Sequence, residues 1–374
     1  MRADMKDKTR FFEIDLLRFI AAFAVLLFHY TFRGWAANSL SPVSFPTLGL
    51  GSRYGYLGVD LFFIISGFVI LMSAWDTNLR GFVISRMARL YPAYWIACTL
   101  TAVVGITASM TRSQPSLGQY LANLSMLHSF IGIPDVDGVY WSLAIELKFY
   151  FLIALLLCVG LQRYYRAFLG LWLVFTVLIR LGYEIKYLDF FLFPEWSAYF
   201  IAGSAFYLLH RARLQNDTDW YAWLLVLVSY ACAIHVSLGT IPKSERFFNT
   251  TFQPYVLVAL LSLFFAVFAA IALGLTQFVR RPQFFVLGLL TYPLYLIHQN
   301  IGYVLFNYLH PILNDELVLF VVIGIMLSSA YALHTYGEKT GASVIRETVA
   351  TLWDSATRRL GAGVDSNAQQ HSGG

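Results

Sequence analysis

Apolar residues run through this chain in blocks of about 20, separated by short connections that carry most of its charge. A bilayer core of roughly 30 Å needs about 20 apolar residues in helical form, and a helix satisfies its own backbone hydrogen bonds in lipid. The pattern predicts an all-α integral membrane protein with about ten transmembrane helices, near residues 12–33, 55–75, 89–109, 139–160, 167–184, 189–209, 220–239, 253–275, 283–309 and 317–336. Barrel strands would alternate apolar and polar positions, and these blocks do not. The stretch 118-GQYLANLSMLHSFIGI-133 is interrupted by Asn123, Ser125 and His128, which predicts an interfacial or re-entrant piece.

Composition agrees with that pattern. Of 374 residues 58% are hydrophobic and 13% charged, with mean hydropathy +0.63, outside the range of soluble domains. Ten spans place both ends on one side. With the N-terminus inside, 17 of the 26 Lys and Arg fall on that side and 6 outside, among them Arg33, Arg53, Arg112 and Lys186; Arg18, Lys148 and Arg180 lie within spans. The positive-inside rule then predicts N-in and C-in. The net charge of +5 is explained by this bias and calls for no nucleic-acid partner. The first apolar block has no small-residue cleavage site and reads as a retained span. The expected organisation is a cytoplasmic N-terminal segment (1–11), a transmembrane domain (12–340) and a short cytoplasmic tail (341–374), partly disordered. No internal repeat or inverted pair of broken helices is visible. Cys98, Cys158 and Cys232 all sit in apolar runs, where cysteine acts as a small hydrophobe, so neither a disulfide framework nor a metal site is expected.

Against this background the ionisable groups inside spans stand out, because they cost several kcal/mol unless they face a cavity or a partner. In 11-FFEIDLLRFIAAFAVLLFHY-30, Arg18 and His29 are 11 residues apart, close to whole helical turns and roughly 16 Å of rise, so one face carries both. Arg86 and Arg89 share a face at the start of the third span. The plain reading of that pair is cytoplasmic anchoring; Arg18 at a similar depth adds a second, three guanidiniums converging on a phosphate-rich ligand. Counting residues places Asp60, Glu146 and His298 near the level of His29. A lone His on an apolar face is more often a satisfied core residue than a catalyst. Two His and two carboxylates at one depth shift that balance towards an intramembrane cavity where a His, oriented by a carboxylate, activates a hydroxyl.

These residues resemble the membrane-bound acyltransferase-3 family, bacterial O-acyltransferases that modify surface glycans and related molecules. The resemblance rests on 14-IDLLRFIAAFAVLLFH-29, 57-LGVDLFFIISGFVI-70, Arg86-x-x-Arg89 followed by Tyr91-Pro92, 140-YWSLAIELKFY-150, 291-TYPLYLIHQ-299 and 336-YGEKT-340, and it runs from Phe11 to Thr340. One departure is Leu147, where members commonly carry a second acid; Glu146 must then serve alone. The resemblance implies a ten-span unit in the bacterial inner membrane, using acyl-CoA, most often acetyl-CoA, as co-substrate and a carbohydrate or glycolipid acceptor reached from the periplasmic side. No metal is implied. An extra periplasmic hydrolase-like domain, found in some members, is not expected here.

The roles expected on this reading are His29 as general base, with Glu146 or Asp60 orienting it, and Arg18, Arg86 and Arg89 as holders of the CoA phosphates. Asp15, Ser66, Ser142, Tyr295 and His298 are candidates for substrate contact or support. For Ser66 and Ser142 helix packing or backbone hydrogen bonding is the favoured reading over a transient acyl-serine. His128, His210, His235, His310 and His334 receive no role. The rival class is a transporter or flippase whose buried charges form a proton relay. Self-association stays open, as do the acceptor hydroxyl and the acyl chain length.

Overall fold

A computed structural model describes residues 10–108, 114–183 and 188–371. Residues 1–9 of the N-terminal segment, the connection charges Arg112 and Lys186, and the last three residues lie outside the described residues. Within them the chain is helical, with no strand. The helices used below are α1 (Phe12–Phe28), α2 (Gly58–Trp75), α3 (Leu79–Ala108), α4 (Leu117–Leu124), α5 (Trp141–Cys158), α6 (Tyr165–Arg180), α7 (Ser197–Leu214), α8 (Trp220–Phe248), α9 (Pro254–Ala272), α10 (Phe284–Leu309), α11 (Asp315–Ala332) and α12 (Lys339–His371).

Among the described residues, seven helical stretches are long and apolar enough to cross a membrane. They include Pro46–Trp75, which contains α2, together with α3, α5, α8, α9 and α10, and a stretch running from α11 into α12. The other three expected spans are helical as well: α1 carries Glu13, Asp15 and Arg18, α6 has 16 residues, and α7 ends on Arg211 and Arg213. The tail, expected as a short amphipathic piece followed by disorder, is helical from Lys339 to His371. It packs along α3, where Arg80 makes two hydrogen bonds of 2.8 Å to Asp354. The piece after α3 folds back on itself. Asn123 is fully buried, and its side chain donates to Gln119 and Pro134 carbonyls and accepts from Val136 N.

Helix α7 shows how the bundle is assembled. Every residue from Ser197 to His210 is buried, and the helix packs on α2, α8, α9 and α6. The tightest approach is to α2. A Cβ on Gly203 would stand 2.0 Å from the Ile64 carbonyl oxygen, and one on Gly67 would stand 2.2 Å from that of Phe200. Without an apolar driving force between helices in lipid, such small-residue seams let backbones meet and gain dispersion contacts. That seam fixes α2, which brings both Asp60 and Ser66, relative to the rest of the core.

Two π-helical turns interrupt the α geometry: His29–Arg33 directly after α1, and Leu333–Glu338 between α11 and α12. Such turns often sit at functional positions because the extra residue re-aims side chains. Here one begins with His29 and the other ends with Glu338.

Candidate functional site

Three cavities follow one another through the bundle. The first, about 460 Å³, is lined by His29, Arg33, Asp60, Trp141, Tyr199, Tyr295 and Gln299 among others. The second is a neck of about 110 Å³ between Ser66, Ser142, Glu146, Tyr150 and Tyr292. The third, about 490 Å³, is lined by Arg10, Asp15, Arg18, Arg86, Arg89, Glu338, Lys339 and Arg346. Val59 and Tyr295 border both the histidine cavity and the neck, while Arg18, Val69, Arg86 and Arg89 border both the neck and the arginine cavity. The path therefore runs along the face that carries Arg18 and His29.

At the histidine end, the ring of His298 fixes the proton positions. Its Nδ1 faces the carbonyls of Tyr295 (2.9 Å) and Leu294 (3.2 Å), which only accept, so Nδ1 bears the hydrogen and Nε2 the lone pair of the neutral ring. That Nε2 lies 3.2 Å from His29 Nδ1, which also faces the Val25 carbonyl at 2.8 Å. Two acceptors around His29 Nδ1 make it the donor. His29 Nε2 is then the basic nitrogen, on a ring that lines the cavity. Gln299 also reaches His29. The two rings are buried and meet edge to face, 5.0 Å between centroids.

The loop before α5 supports this pair. Asp137 is fully buried and accepts from Asn300 N at 3.1 Å and from Val139 N at 3.2 Å, while Asn300 Nδ2 donates to the Val136 carbonyl. Burial holds the Asp137 carboxyl up at about 7. Gly138 permits the contact, because a Cβ there would stand 2.5 Å from Gln299 Nε2. The loop thus grips α10 at the residues next to His298.

In the neck, both Ser66 Oγ (2.6 Å) and Tyr150 OH (2.7 Å) donate to Glu146 Oε1. Ser142 behaves differently. Its hydroxyl bonds the Val139 carbonyl and Tyr295 OH, with Tyr295 OH donating to the same carbonyl at 3.1 Å. At the arginine end Glu338 pairs with Arg89 and with His334 (2.8 Å). Asp15 holds Arg10 at 2.7 Å and lies 3.6 Å from Arg18. Arg86 donates to Ser85 Oγ and lies over the Phe82 and Tyr150 rings, and among the described residues its buried Nε has no hydrogen-bond partner. Three cations close together, one incompletely bonded, are a chemistry that suits an anion.

A family model described as an acyltransferase domain matches residues 11–334, most of the chain. The chain belongs to the acyltransferase-3 family. It is similar to the peptidoglycan O-acetyltransferase OatA of Listeria monocytogenes, 30% identical over 157 residues, which are 37% of this chain and 22% of that protein. A putative peptidoglycan O-acetyltransferase, YrhL of Bacillus subtilis, is 31% identical over 168 residues, 40% of this chain and 24% of the relative. Nodulation protein 10 of Rhizobium leguminosarum bv. viciae is 27% identical over 165 residues, 38% and 43% of the two chains. The chain thus matches under half the length of each of these relatives. No solved structure matches.

For this acyltransferase-3 chain, the structure brings together Arg18, Arg86 and Arg89, and separately His29 with His298. It does not pair His29 with either expected carboxylate. Asp60 shares the histidine cavity but accepts from Tyr199, and Glu146 lies in the neck. The physical reason is that residue counting sets depth and leaves the neighbour open: α5 packs on α2 and α3, whereas α1 packs on α10 and α2. Ser142 bonds a backbone carbonyl, and Ser66 bonds Glu146 across the contact of α2 with α5. Sequence reasoning missed Gln299, Asp137 and Glu338, and left His334 and Arg33 without roles. A signal existed for Glu338, an acid at the end of an apolar block inside the YGEKT element. Among the described residues, no cluster of His, Cys, Asp and Glu could hold a metal ion, and the three cysteines are free.

Proposed function

We propose that this protein is an O-acyltransferase that takes an acyl group, acetyl in the simplest case, from acyl-CoA on the cytoplasmic side. It delivers that group to a carbohydrate or glycolipid hydroxyl on the periplasmic side. The observation that carries the reading is the confluence of three cavities, which joins a cationic mouth to a cavity lined by His29. The roughly 16 Å of rise from Arg18 to His29 is about the reach of an extended pantetheine arm, so phosphates held by Arg18, Arg86 and Arg89 leave the thioester near His29.

On this reading the chain crosses the bacterial inner membrane ten times with both ends cytoplasmic. The three helices outside the strongly apolar set, α1, α6 and α7, complete the ten. Their charged groups line the arginine cavity or lie near helix ends. His29 Nε2 removes the hydroxyl proton; His298 and the Val25 carbonyl hold its tautomer. Glu146, bridged by Ser66 and Tyr150, shapes the neck through which the acyl chain passes. The O-acetyltransferase names of the Listeria and Bacillus relatives support a glycan hydroxyl as acceptor.

The test is free CoA release by the purified protein in lipid nanodiscs, with acetyl-, propionyl- and succinyl-CoA and an envelope glycan fraction. Release that needs His29 supports the reading. No release from any donor, together with movement of glycan across the bilayer, overturns it in favour of a transporter.

A further inference from the structure

Arg33 belongs by charge bias to the outer side, and the π turn that begins at His29 carries it into the histidine cavity. It lies at the end of that turn, one turn beyond His29, and both side chains line the cavity wall. Its Nη1 is buried and has no hydrogen-bond partner. The guanidinium lies beside Tyr303, whose ring is 6.3 Å from that of His29.

Its charge acts on Asp137, but among the described residues no carboxylate forms an ion pair with it. Asp137 is committed to two backbone N–H groups and Asp60 to Tyr199. Glu195 lines the same cavity but is exposed, and no ion pair joins it to Arg33 among the described residues. A guanidinium half-withdrawn from solvent with an unused, buried donor is costly unless something anionic arrives. In acyl transfer, something anionic does arrive, and only transiently.

We propose that Arg33 is the oxyanion-stabilising residue of this acyltransferase. The inference rests on the acyl-transfer reading given above. In the step concerned, His29 Nε2 takes the acceptor's hydroxyl proton and the acceptor oxygen bonds to the acyl carbonyl carbon. The carbonyl π electrons move onto its oxygen, which becomes the oxyanion facing Arg33. When the C=O re-forms, the carbon–sulfur bond breaks, and the leaving thiolate takes the proton from the His29 imidazolium. Arg33 neither gains nor loses a proton. Arg33 lines the same cavity as His29, so its guanidinium can meet the developing charge with little reorganisation as the barrier is crossed.

The experiment compares wild type with Arg33→Ala, Arg33→Gln and Arg33→Lys in nanodiscs, measuring kcat, donor and acceptor KM, and the melting midpoint. Loss of one oxyanion donor costs on the order of 10²–10³-fold in kcat. The expected result is such a loss in Arg33→Ala with both KM values within a few-fold of wild type, an intermediate rate in Arg33→Lys, and partial recovery of Arg33→Ala by added guanidinium. Arg33→Gln, which keeps an N–H donor and bulk, guards against a folding defect. Wild-type kcat in Arg33→Ala overturns the inference. So does a loss confined to acceptor KM, which would make Arg33 a binder of an acidic group on the acceptor. Absence of transfer by wild type itself is a separate outcome that removes the acyl-transfer reading.

Discussion

The two ends of the cavity path are built from different chemistry. At the arginine end, full charges are held in pairs: Arg89 with Glu338, Arg10 with Asp15, and Arg18 close to the same Asp15. At the histidine end, His29 is positioned by neutral groups, the Val25 carbonyl, the lone pair of His298 and the amide of Gln299. A site that holds a polyanion benefits from fixed charge, whereas a base must stay uncharged until it receives a proton. Pairing His29 with a buried carboxylate would have favoured its protonated form before substrate arrived. The carboxylate expected in that place, Glu146, is instead kept in the neck by two hydroxyl donors.

The largest effect that would break this contrast is at His29. Replacing it with Ala is expected to lower kcat by on the order of 10²–10⁴-fold, with donor affinity retained, as read by CoA release and by equilibrium binding of acyl-CoA. Equal loss of donor affinity would mean that the two ends do not divide the work. The seam beneath both ends comes next. Gly203→Val forces a branched side chain against the Ile64 carbonyl and should destabilise the protein by about 1–3 kcal/mol or more, seen as a lower melting midpoint in detergent. An unchanged midpoint would show that α2 and α7 can separate freely.

Removing His298 sharpens the tautomer argument. His298→Ala deletes one of the two acceptors of His29 Nδ1 and should lower kcat about tenfold, whereas His298→Gln, which keeps an acceptor, should recover much of it. Identical rates in the two variants would dismiss His298 as an orienting group. At the other end, Arg86→Ala should raise the KM for acyl-CoA about tenfold with kcat nearly unchanged. A fall in kcat at constant KM would move Arg86 from binding to chemistry.

The smallest expected effect concerns pH. The Asp137 carboxyl is held at about 7, above its ordinary value of 3.8, because burial disfavours the charged form. The folded protein therefore binds more protons than the unfolded chain between those values. The contribution of this group is fully present at the acidic side of 3.8 and is lost as pH rises to about 7. The melting midpoint of wild type should fall across that window more than that of Asp137→Asn. Parallel profiles would place the titration elsewhere.

Periodicity and charge spacing made much of the molecule legible. Blocks of apolar residues dictate spanning helices because lipid leaves backbone groups no other partner, and Arg18, His29 and their 11-residue spacing mark one helix face whatever surrounds it. The paired Arg86 and Arg89 likewise follow from helical geometry alone. The polar interruptions at Asn123 and His128 set 118–133 apart from the spans, and the stretch is not among the helices long and apolar enough to cross a membrane.

Partners were another matter. Which group touches His29 depends on which helix packs on α1, and that is set by contacts between residues some 270 positions apart, such as Tyr30 OH with the His298 carbonyl at 2.7 Å. Depth counting fixes one coordinate, the rise along an axis, and leaves rotation and neighbour undetermined. The π turn at His29–Arg33, which brings Arg33 into the cavity, has no period in the hydrophobic pattern. Sequence by itself determined the helices, their charged faces and the family resemblance. Tertiary packing alone decided that His29 meets a second histidine, that Glu146 sits in the neck, and that Glu338 closes on Arg89, because those pairings are made by side chains brought together only when the bundle closes.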